Sequence, residues 1–146
     1  MVTHHVSKTF NAPMDFVFDW CTDYREDDPK MLGSKLRRRI IDRTPKRVVW
    51  WVDEGKKEDG SPQPIRAVWL HPPDAWHLET CGDGFEIWDY RLTALGKKKT
   101  RLDMEFKVMV ESLKDVHASG DMVSNAQNHW DRYARFLERD YVKSLK

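Results

Sequence analysis

The sequence contains few cysteines, little net charge and no long apolar run. Only Cys21 and Cys81 occur among its 146 residues, and they form no CxxC pair. We expect both to be reduced thiols that pack as small hydrophobic side chains. The formal net charge is +1, from 25 Lys and Arg against 24 Asp and Glu, which argues against a dedicated nucleic-acid-binding protein. No apolar run reaches the roughly 18 residues of a membrane-spanning helix, so we expect no span.

The sequence signatures of several enzyme classes are also absent. The chain has no GxSxG, HExxH, P-loop or GxGxxG pattern, which excludes the common hydrolase, zinc protease, nucleotide-binding and dinucleotide-binding motifs. His77 and Glu79 would share one face of a strand, but two ligands without a third do not make a catalytic zinc site. The neighbours His4 and His5 would point to opposite faces of a strand. We therefore expect no metal and no cofactor.

Aromatic side chains are abundant, with seven Trp, six Phe and four Tyr. This much apolar surface predicts a folded chain rather than intrinsic disorder. The length suits one domain with a sizeable core, and no linker, repeat or low-complexity stretch divides residues 1–146. The first residues have neither a basic leader nor an apolar core, so we expect no signal peptide and a cytoplasmic location.

The first part of the chain predicts a strand followed by two short helices. Residues Val2–Phe10 alternate as a strand with one apolar face does. Pro13 fits the first turn of a helix. The buried stripe of that helix would be Phe16, Val17, Trp20 and Cys21. Asp28 followed by Pro29 is a second start signal, and Gly33 would end that second helix.

The middle of the chain consists of extended runs separated by turn-forming segments. β-branched and aromatic residues dominate several of these runs. The predicted strands are Leu36–Arg43, Val48–Val52, Ile65–His71, Trp76–Cys81, Phe85–Leu95 and Thr100–Val110. In the last run, apolar residues from Leu102 onward alternate with charged residues, which is typical of an antiparallel strand with one face in solvent.

The last part of the chain has helical periodicity. After Ser119 and Gly120, apolar residues recur every three or four positions over roughly 24 residues, a length of about 36 Å. They are Met122, Ala126, Trp130, Tyr133, Leu137, Tyr141 and Leu145. A long helix with one apolar face must lie against apolar surface, and only the predicted sheet is large enough.

The order of these elements resembles the α+β helix-grip fold of the START/Bet v 1-like (SRPBCC) superfamily, particularly its polyketide-cyclase-like branch. The local likeness lies in the strand end Val6–Phe10, the step Asn11-Ala12-Pro13, the helix Phe16–Trp20 and the polar break Thr22-Asp23-Tyr24. The resemblance implies a strand, two short helices, six antiparallel strands and a long C-terminal helix packed on a curved sheet. It also implies one of several tasks, namely lipid or sterol carriage, polyketide cyclisation, hormone binding or chaperone activation. The family has no invariant catalytic set, so the resemblance implies no catalytic residue.

A curved sheet that grips one helix closes tightly at one end and leaves a gap at the other. Concave apolar gaps of this kind are the usual ligand sites. We therefore expect a hydrophobic small molecule, lipid or polyketide-like, to bind between the sheet and the C-terminal helix. The predicted ligand-binding residues are Trp69, Glu86, Trp88, Tyr90, Met122, His129, Trp130 and Tyr133.

Each candidate residue also has a purely structural explanation. The aromatic rings would equally fill the core, and Glu86 would equally lie in water at a strand end. His129 and its neighbour Asn125 would equally lie on a solvated helix flank. An enzyme of the cyclase or dehydratase type would instead use Glu86 or a cavity histidine to move a proton. The sequence leaves this enzyme hypothesis open and favours a non-catalytic role.

Partner binding is a third class of function. Trp50 and Trp51 would point to opposite faces of their strand, so at least one would be exposed or covered by a partner. We expect the chain to be a monomer or a homodimer. Basic residues cluster between Lys35 and Arg47 and at Lys97–Lys99, which leaves transient contact with a membrane surface open. Interspersed acidic residues favour an ordinary charged surface.

Overall fold

The largest element of the protein is a single antiparallel sheet. The computed structural model describes residues 1–24, 37–53, 65–81, 85–109 and 113–146. Its strands are β1 (Val2–Phe10), β2 (Arg37–Thr44), β3 (Arg47–Asp53), β4 (Ile65–His71), β5 (Ala75–Cys81), β6 (Phe85–Gly96) and β7 (Lys99–Val108). Across the sheet they lie in the order β1-β7-β6-β5-β4-β3-β2. The described residues also form two helices, α1 (Met14–Thr22) and α2 (Leu113–Ser144).

The predicted strands are confirmed in number and order. The ends of β1 and β4 are as predicted, and the other observed ends differ from the predicted ones by at most two residues. The largest difference is in β7, which ends at Val108 rather than Val110. The observed strands of these hairpins extend further toward the turns, because residues beside the turns pair through their backbones. Thr44 pairs with Arg47 in this way, and Gly96 pairs with Lys99. Strand ladders depend on backbone groups, which every residue but proline supplies in full.

Helix α1 begins one residue later than predicted. Pro13 lies at its N-cap with an extended backbone, and Met14 is the first helical residue. The predicted buried stripe is confirmed, because Val17 is fully buried and Phe16, Trp20 and Cys21 pack against the core. The second predicted helix, from Asp28 to Gly33, lies outside the described residues.

Helix α2 is longer at its start and shorter at its end than the predicted helix. It begins at Leu113, so Gly120 lies within it. A glycine inside a helix costs only about 1 kcal/mol relative to alanine, which the rest of a long helix offsets. Leu145, predicted to join the apolar stripe, follows the last helical residue and is 63% exposed. Among the described helices, none is long and apolar enough to span a membrane.

Polar contacts hold α2 against β1 and the turn that follows it. Lys8 Nζ lies 2.6 Å from Asp131 Oδ1, and Gln127 Nε2 donates a hydrogen bond to the backbone oxygen of Ser7 at 3.1 Å. The backbone N–H of Asn11 donates to Glu138 Oε1 at 2.8 Å. These contacts place α2 along the β1 edge of the sheet, and the strands beyond β7 face its other side across a gap.

The core lies between α2 and the face of the sheet that we call the inner face. In β7 this face carries Leu102, Met104 and Phe106, which are almost completely buried, while Asp103 and Glu105 between them are partly exposed. The same alternation continues through the antiparallel register of β4 to β6. The inner face of β4, β5 and β6 therefore points to the gap beside α2.

Candidate functional site

A cavity of about 410 Å³ lies between α2 and the inner face of β2 to β6. Its walls are mostly aromatic, and α1, the sheet and α2 all contribute rings. The aromatic lining residues are Trp20, Tyr24, Trp50, Trp88, Tyr90, Trp130 and Tyr133. A cavity of this size, apolar but with several polar groups, is the usual form of a small-molecule site.

Six of the eight predicted site residues line this cavity. They are Trp88, Tyr90, Met122, His129, Trp130 and Tyr133. Glu86 lies on the same face of β6, and its carboxylate accepts a hydrogen bond from Trp88 Nε1 at 3.0 Å. Glu86 therefore fixes the orientation of the Trp88 side chain, although Glu86 itself is not one of the residues that line the cavity. Asn125 also lines the cavity, next to His129 along α2.

Trp69 is the predicted site residue that the structure places elsewhere. Its strand neighbour Val68 is fully buried on the inner face, so Trp69 lies on the outer face. There its ring packs 5.7 Å from the ring of His77. The prediction of a cavity position was wrong because both faces of β4 carry apolar residues, and period-two alternation does not say which of two apolar faces is buried.

Tyr90 lies at the centre of the aromatic wall. Its ring stacks on Trp76 with a centroid distance of 4.8 Å and an interplanar angle of 8°. It also meets Trp130 of α2 edge-on at 6.2 Å. Burial raises the pKa of the Tyr90 hydroxyl above its usual value of 10.0. The cavity therefore carries a neutral phenol that donates a hydrogen bond rather than a phenolate.

A second ring stack forms where α1 ends. Tyr24 follows the helix with a φ of 41°, a left-handed conformation that costs a non-glycine residue roughly 1 to 2 kcal/mol. Its ring stacks on Trp50 at 4.8 Å. Arg43 donates hydrogen bonds to the backbone oxygens of Asp23 and Tyr24 at 2.9 and 2.7 Å, which satisfies carbonyls that the helix end leaves open.

Two arginines extend the cavity wall with positive charge. The guanidinium of Arg38 lies 4.8 Å from the ring centre of Trp50 and 5.2 Å from that of Tyr24, at distances typical of cation–π contacts. Arg66 comes from the inner face of β4, opposite Trp50 in β3 and Thr80 in β5. A cationic group inside a mostly apolar cavity favours ligands that carry a negative charge.

His129 is the titratable group of α2 in this cavity. Part of the residue is exposed, but His129 also lines the cavity, where its ring packs edge-on against Tyr133 at 4.3 Å. Loss of hydration there, together with the positive charges of Arg66 and Arg132, lowers the pKa of His129 to about 4. At neutral pH the imidazole is therefore uncharged and has one nitrogen free to accept a proton.

Both cysteines are free thiols, as predicted. Cys21 lines the cavity, and burial raises the pKa of its thiol above the usual value, which keeps it protonated. Cys81 ends β5 and is exposed. The prediction that both thiols pack as small hydrophobic side chains is therefore correct for Cys21 and wrong for Cys81, because the face that Cys81 occupies is the outer one.

A histidine and two carboxylates meet on the outer face of the sheet. His77 Nδ1 lies 2.6 Å from Asp89 Oδ1, and its Nε2 lies 3.2 Å from Glu79 Oε1. Both ring nitrogens are thus already engaged. Within the described ranges, no set of three or more His, Cys, Asp or Glu side chains is arranged to hold a metal ion.

Solved structures with the same fold cover nearly all of the chain. The Zhui aromatase/cyclase from a Streptomyces species has a TM-score of 0.71 at 12% identity, covering 99% of this chain and 97% of its own. A Thermus thermophilus protein has a TM-score of 0.67 at 13% identity, covering 99% and 100%. A START superfamily protein from Mycobacterium smegmatis has a TM-score of 0.60 at 16% identity, covering 99% of both chains.

The sequence itself matches no protein-family model and no curated protein. At identities this low, similarity between structures shows the fold alone. The chain has the START/Bet v 1-like helix-grip fold, which the order of its predicted elements had indicated.

Proposed function

We propose that the protein binds a hydrophobic small molecule with one or more rings in the cavity between α2 and the sheet. The observation that carries this proposal is the cavity of about 410 Å³ with aromatic walls on three sides. Burial of apolar ligand surface contributes roughly 25 cal/mol per Å² before the costs of ordering are subtracted. Offset stacking on Trp88 and Tyr90 favours a flat ligand over a saturated chain.

The packing around the cavity supports a preformed site. Tyr90 is held by Trp76 and Trp130, and Trp88 is held by Phe106 at 4.3 Å and by the carboxylate of Glu86. Rings that are fixed by other protein groups lose little freedom when a ligand arrives, so less binding energy is spent on ordering them. One of the structures with this fold is described as an aromatase/cyclase, which agrees with a ring-containing ligand.

A pair of α2 variants tests this proposal. Ala126 is buried and lines the cavity, so Ala126→Phe would fill it, whereas Asn128 is exposed on the same helix. The probe is anthracene-2-carboxamide, a flat neutral molecule, and its binding is followed by quenching of tryptophan fluorescence. We expect the wild type and Asn128→Phe to bind it, and Ala126→Phe to bind at least about tenfold more weakly.

Two results would overturn the proposal. Either the probe fails to bind the wild type, or Ala126→Phe binds it as well as Asn128→Phe does while both remain folded by circular dichroism. Native mass spectrometry of the protein purified from its source then identifies the natural ligand as a co-purified small molecule.

Catalysis in the same cavity is a second candidate function. The observation that favours it is that the neutral imidazole of His129 and the protonated hydroxyl of Tyr90 line the same cavity. The imidazole would accept a proton from a carbon next to a carbonyl group, and the phenol would donate a hydrogen bond to the oxygen on which charge develops. This is the chemistry that cyclisation of a polyketone chain needs.

The variant His129→Gln distinguishes an enzyme from a protein that only binds its ligand. For an enzyme, this variant would lose turnover of a poly-β-ketone thioester by at least about a hundredfold while its affinity for anthracene-2-carboxamide changes little. Unchanged cyclisation by His129→Gln, or no acceleration by the wild type over buffer, would exclude this catalytic role for His129.

A further inference from the structure

Among the described residues that line the cavity, the charged side chains are arginines. Arg38 and Arg66 line it, and His129 adds no charge at neutral pH because its pKa is about 4. Among the described residues, no Asp or Glu side chain lines the cavity. Glu86, the carboxylate that lies nearest along the inner face of β6, is bound by the indole of Trp88.

Arg66 is the arginine whose partners are missing. Its Nε is buried without a hydrogen-bond partner, and in the part of the chain that the structure describes no carboxylate forms an ion pair with it. Leaving a buried N–H without an acceptor costs about 1 to 3 kcal/mol. Native proteins seldom leave such a group without an acceptor, and an exception calls for an explanation.

A second buried polar atom without a partner lies beside Arg66. Thr80 is the direct partner of Arg66 in the antiparallel ladder of β4 and β5, so the two side chains rise from the same face about 5 Å apart. The hydroxyl of Thr80 is also buried and has no hydrogen-bond partner among the described residues. The Nε of Arg66 and the hydroxyl of Thr80 thus occur at adjacent positions of the inner face, and neither has a hydrogen-bond partner among the described residues.

A carboxylate satisfies both groups at once. Its oxygens accept from a guanidinium at about 2.7 to 2.9 Å, and one of them has lone pairs left for a hydroxyl donor. An amide or a ketone offers a single neutral acceptor oxygen and leaves the charge of Arg66 uncompensated. The geometry therefore favours an anion over an uncharged polar group.

We propose that the ligand is a flat organic acid whose carboxylate binds Arg66 and Thr80 and whose rings stack on Trp88 and Tyr90. This inference rests on the proposed function and names the chemical class of its ligand. Arg38, held over Tyr24 and Trp50, adds a second positive charge to the same cavity. Arg66 supplies the directional contact with the carboxylate.

A matched pair of ligands tests the inference. Anthracene-2-carboxylate and anthracene-2-carboxamide have the same rings and differ in charge. By isothermal titration calorimetry at neutral pH, we expect the acid to bind at least about tenfold more tightly than the amide, since hydrogen bonds to charged groups are the stronger class. Arg66→Met should remove this preference, chiefly by weakening binding of the acid. Circular dichroism checks that this variant is folded.

Three further variants locate the contact. Arg91 lies exposed on the outer face of β6, so Arg91→Met removes the same charge outside the cavity and should leave the preference for the acid unchanged. Arg66→Lys should retain part of the preference, because a lysine keeps the charge without the fork of donors. Thr80→Val, which keeps the shape of the side chain, should weaken binding of the acid severalfold and binding of the amide less.

The possible results separate the inference from the proposed function. Equal affinity for acid and amide, or a preference that survives in Arg66→Met, overturns the inference and leaves hydrophobic binding intact. Loss of the preference in Arg91→Met also overturns it, because the effect would then be one of net charge. Failure of both ligands to bind the wild type overturns the inference and the proposed function together.

Discussion

Trp20 and Asp140 connect the two helices across the end of the cavity. The indole Nε1 of Trp20 donates a hydrogen bond to Asp140 Oδ2 at 2.9 Å, and the ring meets Tyr133 edge-on at 5.5 Å. Trp20 and Tyr133 both line the cavity. The spacing of α1 and α2, and with it the width of the cavity at this end, depends on this contact.

Asp140→Ala should lower the free energy of unfolding by about 1 to 3 kcal/mol, because it removes the charged acceptor of a partly buried indole donor. The measurement is urea-induced unfolding followed by circular dichroism. Asp19 is exposed on α1 and serves as the control, since surface substitutions of this kind usually stay within about 0.5 kcal/mol. Equal effects of Asp140→Ala and Asp19→Ala would show that the contact does not stabilise the fold.

The adjacent tryptophans of β3 should respond very differently to truncation. Trp50 is 2% exposed and Trp51 is 38% exposed, which confirms that the pair points to opposite faces. Trp50→Ala should cost about 3 to 5 kcal/mol, because it opens a hole in the core and removes the stacking surface of Tyr24 and Arg38. Trp51→Ala should cost less than about 1 kcal/mol. Thermal and urea unfolding of both variants check this, and similar losses would contradict the assignment of faces.

His77 should make the protein less stable as the pH rises above neutrality. Partial burial lowers the pKa of His77, but the hydrogen bonds and charges of Asp89 and Glu79 raise it more, so the pKa lies above the usual value of 6.5. The folded state then holds the proton more tightly than the unfolded chain does. This contribution to stability is fully present below pH 6.5 and is lost as the pH rises through the folded pKa.

Urea unfolding between about pH 6 and pH 9 tests this prediction, because that window begins near the reference pKa of histidine and extends above it. The free energy of unfolding should decline across the window in the wild type, and His77→Gln should remove that part of the decline. His71→Gln is a matched control, since His71 is exposed at the end of β4. An unchanged pH profile in His77→Gln would refute the prediction.

Much of the fold follows from periodicity and turn chemistry. Strand β7 has one apolar and one charged face, so its inner residues, such as Leu102 and Phe106, follow directly from alternation. The apolar stripe of α2 from Met122 to Tyr141 follows from helical spacing in the same way. The start of α2 could not be predicted from Gly120, because a glycine ends a helix only when the chain beside it leaves the helical conformation.

The cavity could be predicted only in part, because it depends on which faces meet. Trp88, Tyr90 and the α2 residues lie on faces that the sequence pattern identifies as buried. Trp69 and Arg66 lie on opposite faces of β4. Assigning the cavity face by the larger apolar side chain selects the face of Trp69, which is the wrong one. The available signal was Arg66 alternating with Val68 and Leu70, since a charge within an otherwise apolar face often marks a site.

The remaining wall residues carry no local signal of their role. Trp20, Tyr24 and Trp50 come from three separate segments and meet through the end of α1 and the inner face of β3. Arg38 belongs to a basic stretch that is typical of a solvated surface, and its contact with Tyr24 and Trp50 exists only in the folded chain. Contacts between residues distant in sequence are set by packing, which a single sequence does not show.

His129 should destabilise the protein in mild acid. Its folded pKa of about 4 lies below the usual value of 6.5, first because of lost hydration and then because of the positive charges of Arg66 and Arg132. Between these two values the unfolded chain binds a proton that the folded protein does not. The contribution of His129 is therefore fully present above pH 6.5 and is lost progressively as the pH falls toward 4.

Titration of the imidazole ring protons by NMR gives the most direct test, with a midpoint near pH 4 expected for His129. Arg66→Met should raise that midpoint, because it removes a positive charge that faces the ring, whereas Arg91→Met on the outer face should not. His129→Gln should also flatten the stability profile between about pH 4 and pH 6.5. A midpoint near 6.5 in the wild type would mean that the ring faces solvent away from Arg66, and both the neutral base and the closeness of Arg66 to α2 would be wrong.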